Sequence, residues 1–363
     1  MSEIRCVVIG TGHLGKIHAG LVRSLQSSGR GLALAGVVDN DPRRAAAVAD
    51  LFGVPAAASV EELSDRFDAA IVATPTCSHW DIACSLLSAG KHCFVEKPLA
   101  SDMLQCRKLI AAADEHNVTL QVGHVENFNP VFKGLRDQLT DVQYIDAVRC
   151  GTYTGRSTDI GIVMDLMIHD LDLIAELVDS PVQRVSAFGL NVLSQHEDFA
   201  TAHLQFRSGA RASVRASRID EGLQRTFTVY CKHLIAKMDL ANGTATLSRV
   251  AGDQASSFAD ALPYEERLQV KTELFSRWMP TEEVSFAAEN AIEQELLDFA
   301  ASIRLGCSPA VDGRRGLRAV TMAEQVLAAV DEARSRVAAD SCERDDRILR
   351  FPFAQPARLR SAA

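Results

Sequence analysis

Residues Ile4-Arg5-Cys6-Val7-Val8-Ile9-Gly10-Thr11-Gly12-His13-Leu14-Gly15 decide the fold. A six-residue, mostly apolar run reads as a strand and feeds a Gly-x-Gly-x-x-Gly turn, after which a helix begins near His13. In that context Gly10 permits the tight turn, Gly12 lets backbone approach a pyrophosphate, and Gly15 allows close helix–strand packing. The helix N-terminus, with His13 and Leu14, offers unpaired N–H groups to an anion. Such a turn also occurs for structural reasons alone, so its neighbours decide the matter.

Outward from this stretch, apolar runs alternate with amphipathic ones. Strands are expected at Ile4–Ile9, Leu34–Val38, Ala69–Ala73, Cys93–Val95 and Thr119–Val122, with helices such as Pro42–Phe52, His79–Ala89 and Asp102–His116 between them. Repeated βαβ units of this kind predict an α/β Rossmann fold, a doubly wound parallel sheet with helices on both faces. Asp39 ends the second strand, where a carboxylate accepts both adenine-ribose hydroxyls and repels a 2′-phosphate, favouring NAD over NADP. The alternative is that Asp39-Asn40-Asp41-Pro42 is only a helix-capping turn. Thr74 and Pro75 end the next strand at the ligand edge of the sheet. His79 follows them, either as a cofactor contact or as a partly exposed residue of a helix start.

After about Gly123 the pattern changes. A helix over Val163–Val178 is followed by strand-like segments near Val182–Val192, Ala200–Phe206, Arg211–Ser217, Arg225–Cys231 and Leu234–Leu240. Turn residues such as Ser208-Gly209 and Asn242-Gly243 separate them, which predicts an α+β unit with an open, mostly antiparallel sheet. Helices over Glu289–Leu305 and Gly313–Arg336 follow, then an Arg/Ala-rich tail.

Two segments carry chemistry. In Val95-Glu96-Lys97-Pro98 a lysine leaves an apolar strand, and the proline holds it extended over the ligand edge; a surface lysine is the alternative. In Asp165-Leu166-Met167-Ile168-His169-Asp170-Leu171-Asp172 the residues Asp165, His169, Asp172 and Glu176 share one helix face, while Met167, Leu171, Ile174 and Val178 form a core stripe. A solvated face is typically rich in Lys and Glu. This one carries Asp, His and Asp, and an aspartate one turn before a histidine can orient the ring.

The 363 residues are 47% hydrophobic and 23% charged, ordinary for a globular chain, and the net charge of −9 excludes nucleic acid as the main partner. No apolar run is long enough to span a bilayer, and no signal peptide is evident at the start, so a cytoplasmic protein away from membranes is expected. Nine scattered cysteines without metal-ligand spacing read as reduced thiols, and no metal site is expected.

The fingerprint at Gly10–Gly15, Glu96-Lys97-Pro98 and Asp165-x-x-x-His169 together resemble the glucose–fructose oxidoreductase / inositol dehydrogenase / rhizopine-catabolism (Gfo/Idh/MocA) family, over nearly all the chain to about Asp331. That resemblance implies an NAD-binding Rossmann domain over 1–123, a substrate-binding and oligomerisation domain over 124–338, a tail over 339–363, and a homodimer or homotetramer. It implies Lys97 and His169 as catalytic residues with Asp165 supporting the histidine. Glu96 and Lys97 join the cofactor contacts, and Lys97, His124, Asn129, Arg156, Asp165 and His169 the substrate contacts. The stretches Gly123-His124-Val125-Glu126-Asn127-Phe128-Asn129-Pro130 and Arg156–Asp170 are similar to the family's UDP-N-acetylglucosamine 3-dehydrogenase branch, except that Asn127 stands where that branch has arginine. The expected activity is NAD-dependent oxidation of a secondary hydroxyl on a sugar or nucleotide sugar. Alternatives are an inositol or free-sugar dehydrogenase of the same family and a non-catalytic NAD-dependent sensor.

Overall fold

In the computed structural model the residues described are 3–155, 160–251 and 262–343. The first apolar run is strand β1 (Ile4–Ile9), followed by α1 (His13–Ser27), β2 (Leu32–Val38), α2 (Pro42–Phe52), the short β3 (Ala56–Ala57), β4 (Ala69–Val72) and α3 (His79–Ser88). Next come β5 (His92–Glu96), α4 (Met103–His116) and β6 (Leu120–Gly123). The six strands form a parallel sheet in the order β3-β2-β1-β4-β5-β6. The chain winds one way from β1 to β3 and the other way from β4 to β6, so the switch point lies between β1 and β4. Register aligns the carboxyl ends: Ile9 pairs with both Val38 and Val72, and Val72 with Val95. The residues that follow, Gly10, Asp39, Ala73 and Glu96, therefore stand along one edge, where ligands bind in such sheets.

Beyond β6 a 3-10 turn (Val125–Phe128) leads into α5 (Pro130–Leu135) and β7 (Val142–Cys150). A π-turn (Val163–Met167) then runs into α6 (Ile168–Leu177). The rest of the second unit is β8 (Val182–Leu190), β9 (Phe199–Phe206), β10 (Arg211–Ser217), β11 (Gln224–Cys231), β12 (Leu234–Asp239), β13 (Thr244–Arg249), α7 (Tyr264–Glu273) and β14 (Thr281–Ser285). Its sheet has eight strands in the order β14-β13-β12-β11-β7-β10-β9-β8, all antiparallel except the β7–β10 pair. Strand β7, at the centre of this order, was not expected from the sequence. Its inner face is Ile145, Ala147 and Arg149, and the buried arginine disguises the apolar alternation. One face of the sheet is covered by α6 and by the last helix, α9 (Gly313–Glu343); the other exposes Phe188, Leu190, Tyr144 and Tyr230.

Before α9, helix α8 (Ala291–Leu305) returns to the first sheet. Its Leu296, Phe299 and Ala300 are buried with Ile71 and Phe94 of that sheet, and the Phe94 and Phe299 rings meet edge to face at 5.9 Å. After α8, Val311 accepts a hydrogen bond from the Val122 N–H at 2.9 Å. Helix α9 continues past Arg336 to Glu343, so the expected tail begins inside it. Among the described residues no disulfide forms and no helix is long and apolar enough to cross a membrane.

Candidate active site

The rim of the first sheet is made mostly of backbone. Gly10 has φ +88°, and a Cβ there would lie 2.5 Å from the Ala73 carbonyl; a Cβ on Gly15 would lie 1.7 Å from the Gly10 carbonyl. These two glycines are demanded by the turn itself. At Gly12 a Cβ would meet nothing within 4 Å, so the open space before the N-terminus of α1 is left for a ligand. His13 and Leu14 are exposed beside it, and Thr74 and Pro75 lie across the switch point. This cradle fits a dinucleotide pyrophosphate.

Asp39 is buried with its carboxylate already engaged. Oδ2 accepts from the Thr11 N–H and hydroxyl, both at 2.8 Å, and Oδ1 from the Asp41 N–H at 2.9 Å and Arg44 at 3.0 Å. Burial would raise its pKa, but these hydrogen bonds and the Arg44 charge outweigh burial and lower it, so the group stays ionised. Asp39 therefore ties the glycine turn to the end of β2.

His79 and Glu96 differ from expectation. His79 is enclosed, with Nδ1 2.8 Å from the Pro98 carbonyl and Nε2 2.9 Å from the Thr74 carbonyl, so it offers no free nitrogen to a cofactor. It ties the loop after β4 to the loop after β5. Glu96 points under the sheet edge: Oε1 meets His18 Nε2 at 2.6 Å, and Oε2 accepts the Lys97 N–H at 3.3 Å. Burial opposes its charge, yet the His18 hydrogen bond lowers the pKa. Nearby Glu295 is pushed well above the usual range by burial and by the Glu96 charge, so it holds a proton. His18, Glu96 and Glu295 form a buried trio with ligand-capable atoms within 4.8 Å of one another, which the sequence did not reveal because 277 positions separate its ends.

Lys97 joins the two halves of the molecule. The peptide bond to Pro98 is cis. Its Nζ donates to the Asp165 carbonyl at 2.7 Å and to Asp165 Oδ1 at 2.9 Å. Both side chains are largely covered, with exposures of 12% and 16%. An ammonium has three N–H donors, so one remains for a substrate oxygen. The aspartate expected to orient His169 is thus bonded to the lysine instead. The π-turn at Val163–Met167 breaks the four-residue register that the sequence spacing assumes.

His169 is buried beside this pair. Burial, followed by the charges of Lys97 and Arg149, holds its pKa well below the ordinary histidine value, so the ring is neutral and able to accept a proton at neutral pH. His124 is fully buried with its ring centroid 6.2 Å away and perpendicular to that of His169.

Asn129, expected at the substrate, is spent on structure. Its Oδ1 caps α5 through the Val131 N–H at 3.1 Å, and its Nδ2 donates to Glu126 and to the Leu240 carbonyl. Arg156 lies outside the described residues.

Beneath the site is a charged layer that the sequence did not announce. Arg149 on β7 binds Asp170 through Nε at 2.9 Å and Nη2 at 2.8 Å, and Glu126 through Nη1 at 2.6 Å, all buried. Burial raises the Asp170 pKa and opposes the Arg149 charge, but the two carboxylates keep the guanidinium ionised. The one available signal was an arginine at an inward position of a strand whose other inward residues, Ile145 and Ala147, are apolar. The polar face of α6 is likewise unsolvated. Asp172 accepts from Asn127, and Arg315 of α9 reaches Asn127 Oδ1 at 2.6 Å, Asp172 at 3.5 Å and Glu176 at 2.7 Å. A guanidinium thus arrives at Asn127 from a distant helix.

A nucleotide-ready parallel sheet facing a lysine and a neutral imidazole defines an NAD-dependent dehydrogenase acting on CH–OH groups. Residues 4–124 match the oxidoreductase family with NAD-binding Rossmann fold, and 143–236 match the GFO/IDH/MocA C-terminal domain; the chain belongs to this family. It is 31% identical to UDP-N-acetylglucosamine 3-dehydrogenase of Acidithiobacillus ferrooxidans, over 91% of this chain and 98% of that protein. A solved structure of that enzyme superposes with a TM-score of 0.80, covering 92% of this chain and 99% of the other. The scyllo-inositol 2-dehydrogenase (NAD(+)) of Bacillus subtilis is 32% identical over 60% of this chain and 68% of its own length. Levoglucosan dehydrogenase in complex with NADH shares the fold at 17% identity, with a TM-score of 0.77 over 91% of this chain and 98% of that one.

Proposed function

We propose that the protein oxidises a secondary hydroxyl of a sugar, the 3-hydroxyl of a UDP-N-acetylhexosamine, by hydride transfer to NAD. The observation that carries the reading is Lys97, fixed by Asp165 from the other half of the molecule, with a charge that acts on His169 to help keep that ring neutral. Bound NAD supplies the hydride acceptor. Gly12, His13 and Leu14 hold its pyrophosphate side, with Gly10 and Gly15 shaping the turn, and Asp39 marks the ribose. Neutral His169 takes the hydroxyl proton. The free N–H of Lys97 donates to the same oxygen and stabilises the negative charge that develops there. Asp165 fixes the ammonium.

The nucleotide-sugar assignment is supported by a resemblance to UDP-N-acetylglucosamine 3-dehydrogenase that runs the length of both chains. The second reading is a cyclitol dehydrogenase, supported by the shorter likeness to scyllo-inositol 2-dehydrogenase. The exposed apolar face of the second sheet supports assembly as a homodimer or homotetramer, which light scattering of the purified protein tests. A panel of UDP-N-acetylglucosamine, UDP-N-acetylgalactosamine, scyllo-inositol and myo-inositol, followed by NADH absorbance, separates the two readings. Oxidation of a cyclitol with no response to either nucleotide sugar overturns the first.

A further inference from the structure

Residues 124 and 127, three apart on the turn after β6, face residues 169 and 172, three apart on α6. The Asn127–Asp172 rung is closed by a hydrogen bond. The His124–His169 rung is not: both ring nitrogens of His124 and Nδ1 of His169 are buried without a partner among the described residues, as is Asp172 Oδ1. Buried polar atoms are rarely left unpaired. Four in one place, behind the group that accepts the substrate proton, mark a position where a proton is handled.

The surroundings of the two rings differ in sign. His169 faces the cations Lys97, Arg149 and Arg225 together with His124. His124 faces the Asp172 and Glu96 carboxylates as well as Arg315 and Lys97. Burial lowers the proton affinity of both; after burial, the Lys97 and Arg149 charges act against a proton on His169, whereas Asp172 acts in favour of one on His124. A proton left on His169 would sit near Lys97 and Arg149, whose carboxylate partners Asp165, Asp170 and Glu126 are already engaged by those cations.

We propose that His124 is a relay residue that takes the proton on from His169, with Asp172 holding the charge there. The two rings share no direct hydrogen bond, so one water between them carries the proton. An N–H bond on His169 breaks as that water takes its proton, the water gives up another proton to form an N–H bond on His124, and one positive charge moves from beside Lys97 and Arg149 to beside Asp172. His169 becomes neutral again before the oxidised sugar leaves. The relay rests on the reading of His169 as proton acceptor and is independent of which sugar is oxidised.

The test is a histidine NMR titration of the full chain with NAD added, from neutral to acid pH, the two rings being assigned with His124→Gln and His169→Gln. His124 is expected to take up its proton at higher pH than His169. Asp172→Asn should lower the His124 midpoint by about one unit, with a smaller effect on His169, and Asp172→Glu should restore it. Protonation of His169 first, or a His124 midpoint indifferent to Asp172, overturns the relay. Should Asp172→Asn fail to fold, the order of protonation in the unaltered protein decides. With whichever sugar the panel shows to be oxidised, stopped flow then compares NADH formation with proton release to an indicator dye. In His124→Gln, proton release should lag hydride transfer by roughly tenfold or more; equal slowing of both overturns the proposal. A panel in which no sugar is oxidised defeats the substrate reading and leaves the titration to decide the relay.

Discussion

The two sides of the cleft are built from different materials. On the cofactor side, the glycine turn works through backbone: Gly10 and Gly15 are required by contacts under 3 Å, and Gly12 keeps space open. On the substrate side, the chemistry depends on titratable side chains taken out of water, with Arg149 at 3% exposure, Asp170 at 1% and His169 at 9%. A backbone site tolerates solvent and recognises charge through fixed N–H groups. A side-chain site in low dielectric gives each charge a long reach, so its groups set one another's protonation and removal of any one is felt by the rest.

The sharpest break between the two sides is expected at Lys97, which belongs to both. Lys97→Ala should lower turnover by about a thousandfold or more, because the donor to the developing alkoxide is lost. NAD affinity should change little, since the turn and Asp39 are untouched. Turnover and NADH fluorescence titration measure the two effects separately. A parallel loss of cofactor affinity would place Lys97 wholly on the cofactor side.

The next effect falls on stability. Arg149→Met leaves Asp170 and Glu126 buried without their cation and should destabilise the protein by roughly 3–5 kcal/mol, read as a lower urea midpoint. An alanine at Gly12 should leave that midpoint in place and weaken NAD binding, as expected of a site made from space. If Arg149→Met were tolerated without loss, the buried layer would be packing and not an electrostatic support.

These contrasts explain what could be read from the sequence. Five of the six strands of the parallel sheet, its glycine turn and the Lys97 segment follow from local pattern, because a strand-turn-helix signature spans few residues, whereas the two-residue β3 (Ala56–Ala57) is too short to leave one. Strand β7 was hidden by Arg149, a charge at a core position whose partners, Asp170 and Glu126, lie 21 and 23 positions away. Arg315 was invisible for the same reason, meeting Asn127 across 188 positions. The pairing of Asp165 with Lys97 was missed because helical spacing assumes an α-helix, and the chain makes a π-turn there. Asn129 and His79 were misplaced because a polar residue near a site reads as a contact until its own hydrogen bonds are counted.

A smaller effect concerns pH. With its pKa depressed, His169 remains neutral below the ordinary histidine value of about 6.5, so the acid limb of the rate should fall below that pH. The Lys97 charge is, after burial, the next cause of the depression. Lys97→Met should therefore raise the His169 midpoint toward its ordinary value, as NMR titration would show. Stability carries the same sign. The unfolded chain binds the proton more readily than the folded one, so the His169 contribution is complete above the unfolded pKa and favourable stability is lost as pH falls below it. A midpoint unmoved by Lys97→Met would mean that burial alone sets the protonation of the ring.

The smallest effect separates a contact from a support. Asn129 stands within the segment that also carries His124, but its side-chain hydrogen bonds go to the start of α5, to Glu126 and to the Leu240 carbonyl. Asn129→Ala should therefore cost about 1 kcal/mol of stability, the usual loss of a helix cap, and leave KM for the sugar nearly unchanged. Asn129→Asp keeps the capping oxygen but loses the donors to Glu126 and Leu240, and sets a second carboxylate against Glu126. It should be no more stable than the alanine variant even though the cap survives. A rise in KM at unchanged stability for either variant would return Asn129 to the substrate side, and would mean that capping geometry at a site's edge is no guide to what the residue binds.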